Sequence, residues 1–223
     1  MNEKDGQAAF DAVVGEAADR IAQLHVPGLA VGVIHGANSY AAGIGVTNTS
    51  TPQPVTADTT FPICSITKTF TATLAMQLSE QGDLDLNDRI VDLLPWFRVK
   101  DREATSRARV IDLFHHHTGW SGDHCFDPVP PGGSITEKCM LQARYLEQIV
   151  PFDQAWMYSN TNLAFAGHVL SVVGGKPYET LVEERILSPL GMDASRFHYS
   201  TSPPGDHFAG GHPPSYADDD IGA

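Results

Sequence analysis

At 223 residues the chain has room for one sizeable domain or two small, intimately packed ones. An apolar fraction of 42% with 18% charged residues is ordinary for a globular protein in water. A formal net charge of −13 argues against nucleic acid or an anionic membrane as partner, since both require basic patches.

The segment Met1–Gly6 lacks the apolar core of a signal peptide, and no run reaches the roughly 18 apolar residues of a membrane span. The expected location is cytoplasmic, without membrane contact. Cys64, Cys125 and Cys139 are an odd number and form no disulfide framework. Cys64 reads as a small packing residue.

Phe10, Val13, Val14, Ala17, Ile21 and Leu24 recur at helical spacing, which predicts an amphipathic helix over about 8–24. Pro27-Gly28 breaks it. The apolar run Leu29–Ile34, the turn residues His35-Gly36-Ala37-Asn38 and the loose alternation of Ser39–Val46 predict a β-hairpin with a buried first strand. Residues 47–60, rich in Thr, Pro and Ser, read as a connecting loop.

The next helix runs from Ser65 to about Gln81, with Phe70, Leu74 and Leu78 on its core face and Gly82 as its stop. Asp83–Asp88 reads as a turn into a short helix that Pro95 closes. Val110–Phe114 begins another short helix, and residues 121–134 read as loop. Further helices are predicted over roughly 136–149, 160–173 and 177–187. Residues 199–223, with Pro203-Pro204, Gly210-Gly211 and Asp218-Asp219-Asp220, read as an irregular acidic tail.

Two stretches carry chemistry. In Phe61–Ala72, Ser65 and Lys68 stand three residues apart. That is about 300° around a helix and about 4.5 Å along it, so both side chains share a face. A serine hydroxyl becomes a useful nucleophile only with a base nearby, and an amine of lowered pKa can be that base. The backbone N–H groups of a helix start also suit a developing oxyanion. The second stretch, Tyr158-Ser159-Asn160, directly precedes an apolar helix. A tyrosine close to Ser65 and Lys68 could act as general base, because an ammonium stabilises its phenolate. Asn160 offers both a donor and an acceptor, to orient Lys68 or hold a substrate amide.

Together these motifs resemble those of the serine β-lactamase and penicillin-binding-protein superfamily, in the branch of class C β-lactamases, D-alanyl-D-alanine carboxypeptidases and related esterases. Val26–Val31 is similar to the family's first sheet strand, and Phe61–Ala72 to its nucleophile segment. Glu80–Asp88 resembles the turn after that helix, and Asp112–Gly119 the L-L-x-H-x-S-G segment. Tyr158-Ser159-Asn160 resembles Y-x-N, and Leu187–Met192 the segment that closes the helical region. These matches cover about residues 20–198 in the family's order.

The resemblance implies an α/β (α+β) fold of the β-lactamase/transpeptidase-like type, a mainly helical region packed on an antiparallel sheet. It divides the chain into a partial domain at 8–198, with 8–60 in the sheet region and 61–198 in the helical region, and the tail at 199–223. It implies that Ser65 attacks a carbonyl to form an acyl-enzyme, that Lys68 and Tyr158 share the proton traffic, and that Asn160 positions substrate or Lys68. The backbone N–H of Ser65 would be half of an oxyanion hole, and no metal or organic cofactor is required. The expected substrate is a small molecule or peptide with an ester, amide or lactam carbonyl.

One family motif, K-T-G or H-x-G on a later strand, has no counterpart after Tyr158. His117-Thr118-Gly119 spells H-T-G but lies inside the L-L-x-H-x-S-G match. The C-terminal sheet strands are therefore expected to be missing, which leaves an open edge through which copies could associate. Removal of one oxyanion donor costs on the order of 10²–10³ in rate. The alternative to a hydrolase is a catalytically impaired homologue that acts as an interaction protein. A zinc site at His115-His116-His117 is disfavoured, because adjacent helical side chains point about 100° apart. That run reads as a helix end with His116 partly buried.

Overall fold

The computed structural model describes residues 3–121, 143–197 and 209. They divide into two compact units, one from Met1–Ile63 and Ala194–Ala223, the other from Cys64–Asp193.

In the first unit, helix α1 (Glu3–Gln23) precedes strands β1 (Gly28–His35) and β2 (Asn38–Gly45). The strands form an antiparallel hairpin in which Gly28 pairs with Gly45 and His35 with Asn38. Among the described residues this is a two-stranded sheet. Phe10 of α1 is buried and stacks on Tyr40 of β2, ring centroids 5.5 Å apart. The predicted helix and hairpin are present, but the first strand is not buried. Val33 is 37% and Ile34 83% exposed, because α1 and β2 together do not cover the apolar run. Val13 and Leu24, expected on the buried face of α1, are also exposed.

In the second unit, a 3-10 turn at Cys64–Ile66 leads into α2 (Thr67–Glu80). Gly82, at φ 82°, accepts the left-handed turn that stops this helix. The buried face of α2 is Thr71, Leu74, Ala75 and Leu78, so Phe70 sits at the margin of the core and not within it. Three short helices follow: α3 (Ile90–Leu93), α4 (Arg102–Arg107) and α5 (Val110–His115). Helix α4 was not anticipated. Its signal is local, since the Asp101 carboxylate accepts from Ala104 N–H at 2.7 Å and Glu103 pairs with Arg107 one turn on.

Helix α6 (Asn160–Gly174) packs against α2 and α5, and α7 (Tyr178–Val182) runs on into a π-helical turn at Glu183–Leu187. Phe165 of α6 is fully buried, edge-on to Phe97 at 5.7 Å. Leu74, Leu78, Ile90, Leu113, Leu170 and Leu181 complete the same core. The helix expected over 136–149 lies outside the described residues as far as 142, and residues 144–149 are not helical. There, Trp120 bridges Gln148, and Ile149 N–H donates to Gly119 O at 2.9 Å. Gly119 has φ 68°, and a Cβ at that position would lie 2.0 Å from Val150 O, so this junction requires glycine. Cys125, Cys139 and nearly all of the predicted tail at 199–223 also lie outside the described residues.

Two outcomes follow for the helical unit. Phe165→Ala is expected to lower the unfolding free energy by about 3–5 kcal/mol, read from urea denaturation. His168 of α6 is buried, and desolvation holds its pKa below the ordinary 6.5. Below that value the unfolded chain binds more protons than the folded one, so stability should be full above about 6.5 and erode as the pH falls. Denaturation midpoints between pH 7 and 5 should show this decline, and His168→Gln should flatten it.

Candidate active site

The local sequence sets up each side chain before packing brings them together. Ser65 sits in the 3-10 turn and Lys68 in the first turn of α2, so the two face the same way. Lys68 Nζ donates to Ser65 Oγ at 3.1 Å. Cys64, immediately before the serine, has φ 44°, a left-handed conformation uncommon for a side-chain-bearing residue. It is exposed, not the packed residue that its type suggested.

The second stretch is delivered by α6. Ser159 is the N-cap, its Oγ accepting from Asn162 N–H at 3.2 Å. Asn160 is then the first helical residue, and its Oδ1 accepts from Lys68 Nζ at 2.6 Å. Tyr158, the residue before the cap, places its hydroxyl 2.6 Å from Ser65 Oγ. The Lys68 ammonium also lies over the Tyr158 ring, 4.7 Å from its centroid. Ser65, Lys68, Tyr158 and Asn160 thus form one hydrogen-bonded group. Ser65 is exposed and Tyr158 is 44% exposed, so the group is open to a ligand.

The support beneath it is buried. Asn162 Nδ2 donates to Thr118 Oγ1 at 3.0 Å, and both residues are almost wholly shielded from solvent. This ties the start of α6 to the segment after α5. Beside Lys68, a cavity of about 300 Å³ is lined by Cys64, Lys68, Thr71, Gly167, His168 and Tyr178. The Tyr178 hydroxyl is 2.8 Å from Thr71 Oγ1, and burial pushes its pKa up, which keeps it a neutral phenol.

The histidine run does not converge. His115 is exposed, whereas His116 caps α5 in a left-handed conformation and lies half-buried with Nδ1 facing Ser159 N–H at 3.2 Å. Among the described residues no group of three or more His, Cys, Asp or Glu side chains could hold a metal ion. No helix among them is long and apolar enough to cross a membrane.

Residues 10–220 match the profile of the Beta-lactamase family. The chain belongs to this family. Penicillin-binding protein 4 of Amycolatopsis lactamdurans is 32% identical over 171 residues, which is 77% of this chain and 45% of that protein. The octameric penicillin-binding protein homologue from Pyrococcus abyssi aligns with TM-score 0.76 and 27% identity, over 90% of this chain and 47% of that one. A class C β-lactamase from Rhodobacter sphaeroides aligns with TM-score 0.63 and 30% identity, over 86% and 54% respectively. The fold is β-lactamase/transpeptidase-like, and the family is one of serine hydrolases. This Beta-lactamase family chain spans less than half the length of the curated relatives it matches.

Surface chemistry and buried support should respond differently to mutation. Tyr158→Phe is expected to leave the unfolding free energy within about 0.5 kcal/mol, as for other exposed sites. Asn162→Ala strands Thr118 in the interior and should cost about 1–3 kcal/mol. Chemical denaturation of both variants checks this.

Proposed function

We propose that the chain is a serine hydrolase that forms an acyl-enzyme on an ester, amide or lactam carbonyl. The observation that carries this reading is the hydrogen-bonded group in which Ser65 Oγ meets both Tyr158 Oη and Lys68 Nζ. Both contacts are within the reach needed for direct proton transfer.

In this reading Ser65 Oγ attacks the carbonyl carbon as its proton passes to the Tyr158–Lys68 pair. The carbonyl electron pair moves onto oxygen, where the backbone N–H of Ser65 is one donor. Collapse of that intermediate breaks the bond to the leaving group, which takes the proton back from the pair. Water then attacks the acyl carbon, giving a proton to the same pair. Collapse breaks the bond to Ser65 Oγ, which takes that proton back, and the carboxylic acid product leaves. Asn160 holds Lys68 through Oδ1, so the amine stays aimed at the serine. No step requires a metal or an organic cofactor. The relatives named β-lactamase, penicillin-binding protein and putative D-alanyl-D-alanine carboxypeptidase support a lactam or peptide substrate.

A second reading is an interaction protein, and one observation favours it: Ile34 of β1 is left 83% exposed. The hairpin edge would then be the surface for self-association, the state named for the octameric Pyrococcus homologue.

Intact mass after incubation with a fluorophosphonate probe separates the two. One adduct is expected, absent in Ser65→Ala and formed about 10²–10⁴-fold more slowly in Lys68→Ala. A folded sample that gains no mass would overturn the hydrolase and favour the interaction protein.

A further inference from the structure

His116 grips the polypeptide on both sides of Tyr158. Its carbonyl oxygen accepts from Met157 N–H at 2.8 Å, and its ring Nδ1 accepts from Ser159 N–H at 3.2 Å. A backbone N–H can only donate, so Nδ1 must carry a lone pair and the proton of the neutral ring sits on Nε2. The ring also lies tilted against Tyr158, with centroids 4.9 Å apart and planes 32° apart. Trp156 closes edge-on at 5.9 Å from the other direction. Three residues of one strap, Met157, Tyr158 and Ser159, are thus held by a single side chain and its own peptide oxygen.

The backbone of His116 indicates that this arrangement is imposed by the fold. Its φ of 59° and ψ of 33° are left-handed, a conformation that L-residues avoid unless their surroundings hold them there. The segment that follows His116 is held by residues upstream of Tyr158. Asp153 N–H donates to His117 O at 3.0 Å, and Gln148 Nε2 donates to Thr118 O at 2.7 Å.

We infer that His116 is a positioning residue, which holds the Tyr158 hydroxyl on Ser65 by fixing the Ser159 amide next to it. Its influence on the chemistry passes through Tyr158, because the amide it holds belongs to the next residue and its ring lies against the Tyr158 ring. A hydroxyl that must lie 2.6 Å from Ser65 tolerates little drift, and the supporting contacts set how much it has. This role rests on the proposed hydrolase for its catalytic meaning, but the grip itself can be measured without activity.

The test compares His116→Gly with His116→Asn in the full chain. Glycine relaxes the left-handed backbone and removes the acceptor. Asparagine also tolerates that backbone and places Oδ1 where Nδ1 stood. Amide hydrogen exchange of Ser159 is expected to quicken about tenfold in His116→Gly, the scale of one hydrogen bond, and to stay near the parent in His116→Asn. Fluorophosphonate labelling of Ser65 should slow about tenfold in the glycine variant and recover in the asparagine variant. If His116 served only to turn the backbone, glycine would match or exceed the parent in both readouts. That outcome, or an asparagine variant as impaired as the glycine one, overturns the inference. A parent protein that exchanges as expected yet never labels would count against the hydrolase and leave the grip established.

Discussion

The packing of α6 against α2 and α5 is the constraint on which the site depends. Ser65 and Tyr158 lie 93 positions apart in the chain, yet their hydroxyls meet at 2.6 Å. Nothing local enforces that distance. It follows from the burial of Phe165, Val169 and Leu170 on one helix against Leu74, Leu78 and Leu113 on its neighbours. Apolar burial is not directional, so it brings the helices together without choosing their relative height. Directional polar contacts add that choice. One is the Asn162–Thr118 pair between α6 and the segment after α5, whose polar atoms must find each other once both are out of water. Another is the Lys68–Asn160 hydrogen bond between α2 and α6.

The four chemical side chains stand at the ends of elements, where backbone geometry is freest and solvent is near. Ser65 occupies the turn before α2, and Tyr158 and Asn160 flank the cap of α6. Cys64 and His116, both at positive φ, mark where the fold departs from regular structure to make this possible. The same division explains why the chemistry is exposed while its supports are buried.

The family assignment and the geometry answer different questions. Similarity over residues 10–220 establishes membership of the Beta-lactamase family. It does not say what a chain spanning less than half of those relatives binds. Ser65, Lys68, Tyr158 and Asn160 all lie in the helical unit, where hydrogen bonds between their side chains bring them together.

Much of this was legible in the residues by themselves. The spacing of Ser65 and Lys68, the capping Ser159 before an apolar helix, and Gly82 as a stop all act over one helical turn, within which sequence and conformation are tightly coupled. Helix α4 was just as local and was missed, because its charged, polar face carries no apolar period. Other features only the tertiary structure decided. An apolar run at Leu29–Ile34 announces a strand but not which neighbours cover it, and β1 lies largely exposed. A cysteine is apolar by type, yet Cys64, at positive φ, lies exposed. His116 read as the half-buried end of a helix, which it is, and its grip on Met157 and Ser159 depends on residues more than 40 positions away. Side-chain type and spacing determine what a residue can do; which partner it meets is set by long-range packing, because contacts between distant segments carry no signature in either segment alone.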